Sequence, residues 1–217
     1  MCCAGNNIER NSLDRRSFFT RGAGKVAKAV TDHSAEQARK NAARWIRPPF
    51  ALDELEFLLA CTRCDACVRA CTYDLVFPLS AKQGAKVAST PAMDLLNKGC
   101  HLCDDWPCVN ACEVGALKLP VIDKKHNDLS EPDVYGDQYK ERFVPKIANV
   151  FINKETCLPY SGPECGACKV CPVEGAMIWN MEKPEINQAL CTGCALCREA
   201  CIVDPKAVMV QSKYQVV

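Results

Sequence analysis

The chain has 217 residues, enough for one or two domains, with 27 basic and 26 acidic side chains and a net charge of +1. Eighteen cysteines stand beside only three histidines, and no C-x-x-C-H occurs, which excludes a multi-haem protein. No apolar run approaches the ~20 residues that span a bilayer, and no nucleic-acid partner is expected.

The charge is uneven. Up to Arg47, ten Lys or Arg stand against four acids, and the rest of the chain carries a net −5. A basic arm therefore precedes a mildly acidic, Cys-rich body. Within the arm, Leu13-Asp14-Arg15-Arg16-Ser17-Phe18-Phe19 has the form of a twin-arginine export signal. Residues 20–28 carry charges where such a signal requires an apolar stretch. The expectation is a cytoplasmic protein at the inner face of the membrane, with twin-arginine export to the periplasm as the alternative. Cys2 and Cys3 belong to no motif and read as spare thiols on a loose terminus. Gly22-Ala23-Gly24-Lys25-Val26-Ala27 matches G-x-G-x-x-A, but no strand precedes it, so the dinucleotide reading lacks its context. Ala35, Ala38, Ala42 and Trp45/Ile46 recur at helical spacing beside Arg39, Lys40 and Arg44. That pattern predicts a basic helix suited to a partner or an anionic membrane surface, or else a solvated helix.

Pro48-Pro49 closes the arm, since helices end before a proline. Residues 51–60 read as a short apolar helix or turn. Cys61, Cys64, Cys67 and Cys71 follow as C-x2-C-x2-C-x3-C. Residues 75–79 predict a short strand and 92–97 a helical turn. Cys100, Cys103, Cys108 and Cys112 form C-x2-C-x4-C-x3-C, with an insert that ends in Trp106-Pro107. Residues 115–119 predict a closing strand. The polar stretch 123–146 reads as a linker or docking loop. After a strand at 149–152, Cys157, Cys165, Cys168 and Cys171 form C-x7-C-x2-C-x2-C. A strand at 176–179 leads to Cys191, Cys194, Cys197 and Cys201, as C-x2-C-x2-C-x3-C, and 207–210 is the last predicted strand.

Three thiolates at steps of three residues let one tight loop curl round a compact inorganic cube, while the fourth points elsewhere. This resembles the ligand pattern of bacterial [4Fe–4S] ferredoxins, in which the fourth Cys serves a second cluster. Four variants in one chain make an internal repeat of strand, Cys-lined loop, short helix and strand. The expected fold is α+β, with tandem two-cluster ferredoxin-like domains at 48–122 and 147–217, behind an arm at 1–47. The cross-over rule assigns sixteen cysteines to four [4Fe–4S] clusters. Site one takes Cys61, Cys64, Cys67 and Cys112. Site two takes Cys100, Cys103, Cys108 and Cys71. Site three takes Cys157, Cys165, Cys168 and Cys201. Site four takes Cys191, Cys194, Cys197 and Cys171.

Four-thiolate zinc sites are usually built from two close Cys pairs across a spacer, which three evenly spaced Cys in one loop do not suit. Disulfides fit the dense, regular spacing still less well. Two departures affect details. The gap before Cys171 is two residues, so its helix must start differently, and only Cys171 is followed by Pro; Thr72, Glu113 and Ile202 stand elsewhere. Trp106 is expected to lie as a lid over site two, His101 to be an ordinary loop histidine beside Cys100, and Asp104, Asp105 and Glu113 to solvate the surface.

The start Arg15-Arg16-Ser17-Phe18 and the segment Arg47-Pro48-Pro49 before Cys61-Thr62-Arg63-Cys64 resemble the NapF ferredoxin-type family of periplasmic nitrate reductase systems. Cys103-Asp104-Asp105-Trp106-Pro107-Cys108-Val109-Asn110-Ala111-Cys112, Cys157-Leu158 and Cys191-Thr192-Gly193-Cys194 are similar to the NapG and MauM branch. The resemblance implies a one-electron carrier serving a redox protein partner, such as a molybdoenzyme or a membrane quinol dehydrogenase. The alternatives are a maturation factor for a molybdo- or iron–sulfur enzyme, and a fixed electron-transfer subunit of an oxidoreductase. Each inferred site has four thiolates, so no substrate-binding iron and no catalysis are expected.

Overall fold

The computed structural model describes the backbone of residues 15–120 and 145–215, with side chains from residue 26 onward. Cys2, Cys3 and most of the expected linker (residues 123–144) lie outside the described residues. The chain divides into two compact units, Met1–Gln37 and Ala38–Val217.

Helix α1 spans Arg15–Ala42. Gly22 to Ala27 lie inside it, so the G-x-G-x-x-A match sits mid-helix and not in a strand-to-helix turn. Val26 and Val30 are exposed on its surface, at 64% and 60%.

In the larger unit, Ala42, Trp45, Ile46 and Arg47 are buried. The Arg47 guanidinium grips Glu54 through two bonds, Nη2–Oε1 at 2.6 Å and Nε–Oε2 at 3.0 Å. Its Nη1 donates to Thr90 Oγ1 at 2.8 Å and to the Pro91 carbonyl at 2.7 Å, while Trp45 Nε1 donates to Glu54 Oε1 at 3.2 Å. A buried charge persists only when paired and hydrogen-bonded in this way. The network ties the chain ahead of Pro48-Pro49 to α2 (Glu54–Ala60) and to β2 (Pro91–Met93). Glu54 and Glu56 in the first turn of α2 complement the helix dipole, and Phe57 is fully buried.

Helix α3 (Ala66–Ala70) is followed by β1 (Val76–Pro78), which pairs antiparallel with β2, Phe77 opposite Ala92. Residues 91–93, part of which the sequence reads as a helical turn, are therefore strand, because all three side chains are buried against the core. Helix α4 (Pro107–Asn110) begins with Pro at its first position, where a missing N–H costs nothing. The strand expected at 115–119 shrinks to one bridge, Ala51↔Leu117. Pro48, Pro49 and Pro120 flank that bridge and cannot donate to a longer ladder.

The second half repeats the plan with a fuller ladder. Strand β3 (Ala148–Ile152) pairs antiparallel over its whole length with the last strand, β6 (Val208–Ser212). Between them lie α5 (Leu158–Ser161), a 3-10 turn (Ala167–Val170), the hairpin β4 (Met177–Asn180) with β5 (Lys183–Ile186), and α6 (Leu196–Glu199). Each half thus has an inner hairpin and an outer closure. The mix of short helices and two-stranded sheets is compatible with a ferredoxin-like α+β fold. The halves share one core, in which Phe57, Leu95 and Val150 pack with cysteines of both. Among the described residues, no helix is long and apolar enough to cross a membrane.

Candidate metal centres

Sixteen described cysteines are free thiols, and most are buried or half-buried; Cys64 is exposed. They gather around four cavities. One is lined by Cys61, Cys64, Cys67 and Cys112, with Phe57, Val114 and Leu117 in its wall. A second is lined by Cys71, Cys100, Cys103 and Cys108, with Tyr73, His101 and Trp106. A third is lined by Cys157, Cys165, Cys168 and Cys201 among aliphatic and proline side chains alone. A fourth is lined by Cys171, Cys191, Cys194 and Cys197, with Val150, Met177 and Ile186. Three cysteines of each set come from one loop and the fourth from the other loop of the same half. Among the described residues, no three His, Cys, Asp or Glu side chains converge as ligands of a single ion would. The cysteines surround volumes.

Backbone conformation explains how the loops wrap. Asp65, Trp106 and Ala195 each stand two residues before the third cysteine of their motif, at φ +58°, +44° and +65°. The left-handed conformation costs an L-residue about 1–2 kcal/mol. Here it reverses the chain so that a short helix starts at the next residue and carries the third cysteine inward. Motif three departs from this. Gly166 is at φ −123° and a 3-10 turn follows in place of an α-helix. The difference compensates for the missing residue: four residues of α-helix and three of 3-10 helix both rise about 6 Å and turn roughly once. Cys168 and Cys171 are thereby offset much as Cys67 and Cys71 are.

The environment opposes free thiolates. Burial pushes the Cys67 thiol up to about 11, with neighbouring Cys61, Cys112 and Cys64 adding to it. Burial likewise raises Cys100, Cys108 and Cys197 to about 12. Backbone N–H groups act in the other direction: Leu102 on Cys100, Gly193 on Cys191 and Leu196 on Cys194 favour the charged sulfur. At exposed Cys64 the Ala66 N–H dominates and lowers the thiol below its ordinary range. The Leu117 N–H donates to Cys112 Sγ at 3.3 Å. The hydroxyl of Thr192, buried beside Cys194, also favours the charged form of that sulfur.

These features test the fit of an iron–sulfur cluster. The donors are all soft sulfur, four to a cavity, and the walls are largely apolar. N–H groups aim at sulfurs that would carry negative charge, and the Thr192 hydroxyl does the same at Cys194. The residues present fit the group.

Trp106 lies in the wall of the second cavity, buried, with its ring edge-on to Phe50 at 4.9 Å. His101 is exposed and stacks on Tyr73, ring centroids 3.7 Å apart. Tyr73 carries no motif, and its place beside Cys71-Thr72 was the only hint in the chain. Asp104, Asp105 and Glu113 are exposed.

The methylamine utilization ferredoxin-type protein MauM of Methylophilus methylotrophus is 33% identical over 214 residues, spanning 92% of this chain and 85% of the relative. The chain belongs to the MauM/NapG family of ferredoxin-type proteins. Within it, NapG of Haemophilus influenzae is 31% identical across 91% of this chain and 71% of its own length. NapF of Escherichia coli is 27% identical across 76% of this chain and 84% of its own. No family model matches the chain, and no solved structure matches it. Membership in the MauM/NapG family supports an iron–sulfur electron-transfer role.

Proposed function

We propose that the chain is a polyferredoxin: four [4Fe–4S] clusters held in two tandem two-cluster halves, relaying single electrons to or from a redox protein partner. The observation that carries this is the lining of the four cavities, each with four cysteines drawn three-plus-one from the two loops of a half. When bound, such clusters accept and release one electron at potentials that the protein sets within roughly −700 to +450 mV. The chain's own residues do the rest. The thiolates hold each site, and the exchanged fourth cysteine braces one loop against its neighbour. Apolar walls such as Ile152, Val203 and Val208 around the third cavity keep water from the sulfurs. N–H groups of Ala66, Leu102 and Leu196 stabilise negative charge there. Every site is assigned a full set of four thiolates, so the chain is read as a carrier and not a catalyst. The partner is a redox protein such as a molybdoenzyme or a quinol dehydrogenase.

Iron and sulfide analysis with EPR on anaerobically prepared protein tests this. About sixteen irons per chain and signals of reduced [4Fe–4S] centres are expected. A colourless, zinc-filled protein would refute it. A second reading, an assembly factor that grips an apo-enzyme, is favoured by the exposed Val26 and Val30 of α1, whose last turn is basic with Arg39 and Lys40. Selective capture of an apo-enzyme, lost on removing residues 1–37, would support it over the simple carrier.

A further inference from the structure

We propose that the four sites stand in the spatial order one, two, four, three, joined in the middle by a backbone clasp between Gly99-Cys100 and residues 194–199. This rests on the reading that each cavity holds a cluster, and goes beyond it by ordering the sites.

Within the first half, α3, bearing Cys67, packs against α4, bearing Cys108. Site one therefore borders site two. Within the second half, α6, bearing Cys197, packs against the 3-10 turn bearing Cys168. Site four therefore borders site three. Among the described residues, the cysteines hydrogen-bonded across the joint between halves belong to the second and fourth sets. The Cys100 N–H donates to the Cys194 carbonyl at 2.7 Å, so a cysteine lining cavity two is bonded directly to one lining cavity four. The Gly99 N–H donates to Glu199 Oε2 at 2.8 Å, and Arg198 Nε donates to the Leu96 carbonyl at 2.9 Å. The approach is so close that a Cβ at Gly99 would lie 2.7 Å from Leu196 Cα and 2.6 Å from its Cδ2. Other side-chain links between the halves, Ser212 to Ala42 and Tyr214 to Asp53, involve no cysteine. Sites one and three are left as the two ends. Cys64 is exposed at the first, and Ile202, 70% exposed, borders the third. The order along the chain and the order in space thus differ.

Neighbouring reduced iron–sulfur centres couple magnetically, and separated ones do not. Two variants of the full chain isolate the pairs that matter. One removes sites one and three through Cys61→Ala, Cys64→Ala, Cys157→Ala and Cys165→Ala. The other removes sites two and four through Cys100→Ala, Cys103→Ala, Cys191→Ala and Cys194→Ala. Both are reduced with dithionite and examined by EPR, with iron counted. About eight irons are expected in each. The protein retaining sites two and four should give a split, broadened spectrum. The protein retaining one and three should give the sum of two unsplit signals. Full iron with the splitting reversed overturns the order but leaves the cluster reading intact. A parent chain without iron overturns both. If either protein does not fold, Gly99→Ala in the parent chain decides: the coupling across the halves should fall while iron content and the couplings within each half persist, and an unchanged spectrum overturns the clasp.

Discussion

The two halves perform the same task with different closures. The second half ends as it begins, on a ladder of five residue pairs between β3 and β6. The first has one bridge, Ala51↔Leu117, with backbone bonds from Leu52 to Ala116 and from Lys118 to Phe50 on either side. Prolines explain the difference, and the buried Arg47–Glu54–Thr90 network takes the place of the missing ladder. A sheet closure distributes its stability over many groups, each replaceable at small cost. An ionic clamp concentrates it in one guanidinium, whose removal strands a buried carboxylate. The same contrast recurs in the loops, where three motifs run from a left-handed residue into an α-helix and the third uses a 3-10 turn.

The sharpest way to break the comparison is at the exchanged cysteines. Cys71→Ser should cost about four of roughly sixteen irons, from the site lined by Cys100, Cys103 and Cys108, and Cys171→Ser should do the same at Cys191, Cys194 and Cys197. Iron analysis with EPR of each variant reads this out, and loss confined to the loop carrying the substitution would show the exchange to be wrong. Next in size, Arg47→Ala should destabilise the protein by about 3–5 kcal/mol, because Glu54 is fully buried and left unpaired. Urea unfolding of the loaded protein measures it; a cost under about 1 kcal/mol would mean that the clamp does not replace the ladder. Val150→Ala in β3, at 1% exposure, should cost about 1.5 kcal/mol by the same assay. A cost equal to that of Arg47→Ala would erase the contrast between distributed and concentrated closure. Smallest, Ser212→Ala removes the hydroxyl bond to the Ala42 carbonyl at 2.8 Å and should cost about 1 kcal/mol, visible as a shift in the unfolding midpoint.

Much of the fold was legible where patterns are local. The strands at 149–152, 176–179 and 207–210 appear within one or two residues of their expected places, because each is a short apolar run rich in β-branched or aromatic residues. The strand β5 escaped notice because Lys183-Pro184-Glu185-Ile186 is polar and proline-bearing, and is held in place by its partner β4. At 115–119 the apolar run predicts a longer strand than forms, because two of the prolines that limit the ladder, Pro48 and Pro49, lie about seventy residues away. Tyr73, stacked on His101, is marked in the sequence by no more than its place beside Cys71-Thr72, since a single aromatic beside a motif says nothing of what it will face.

By itself the sequence determined where the cysteine-bearing loops lie, because closely spaced thiols such as Cys61, Cys64 and Cys67 must share one loop. It also showed that motif three must differ, being one residue short. Only the tertiary structure decided how that shortfall is absorbed, by a 3-10 turn whose greater rise per residue restores the offset. Only the tertiary structure set the second loop against the fourth. That contact rests on the missing Cβ of Gly99 and on a backbone bond between Cys100 and Cys194, and such long-range steric fits leave no periodic trace in a chain.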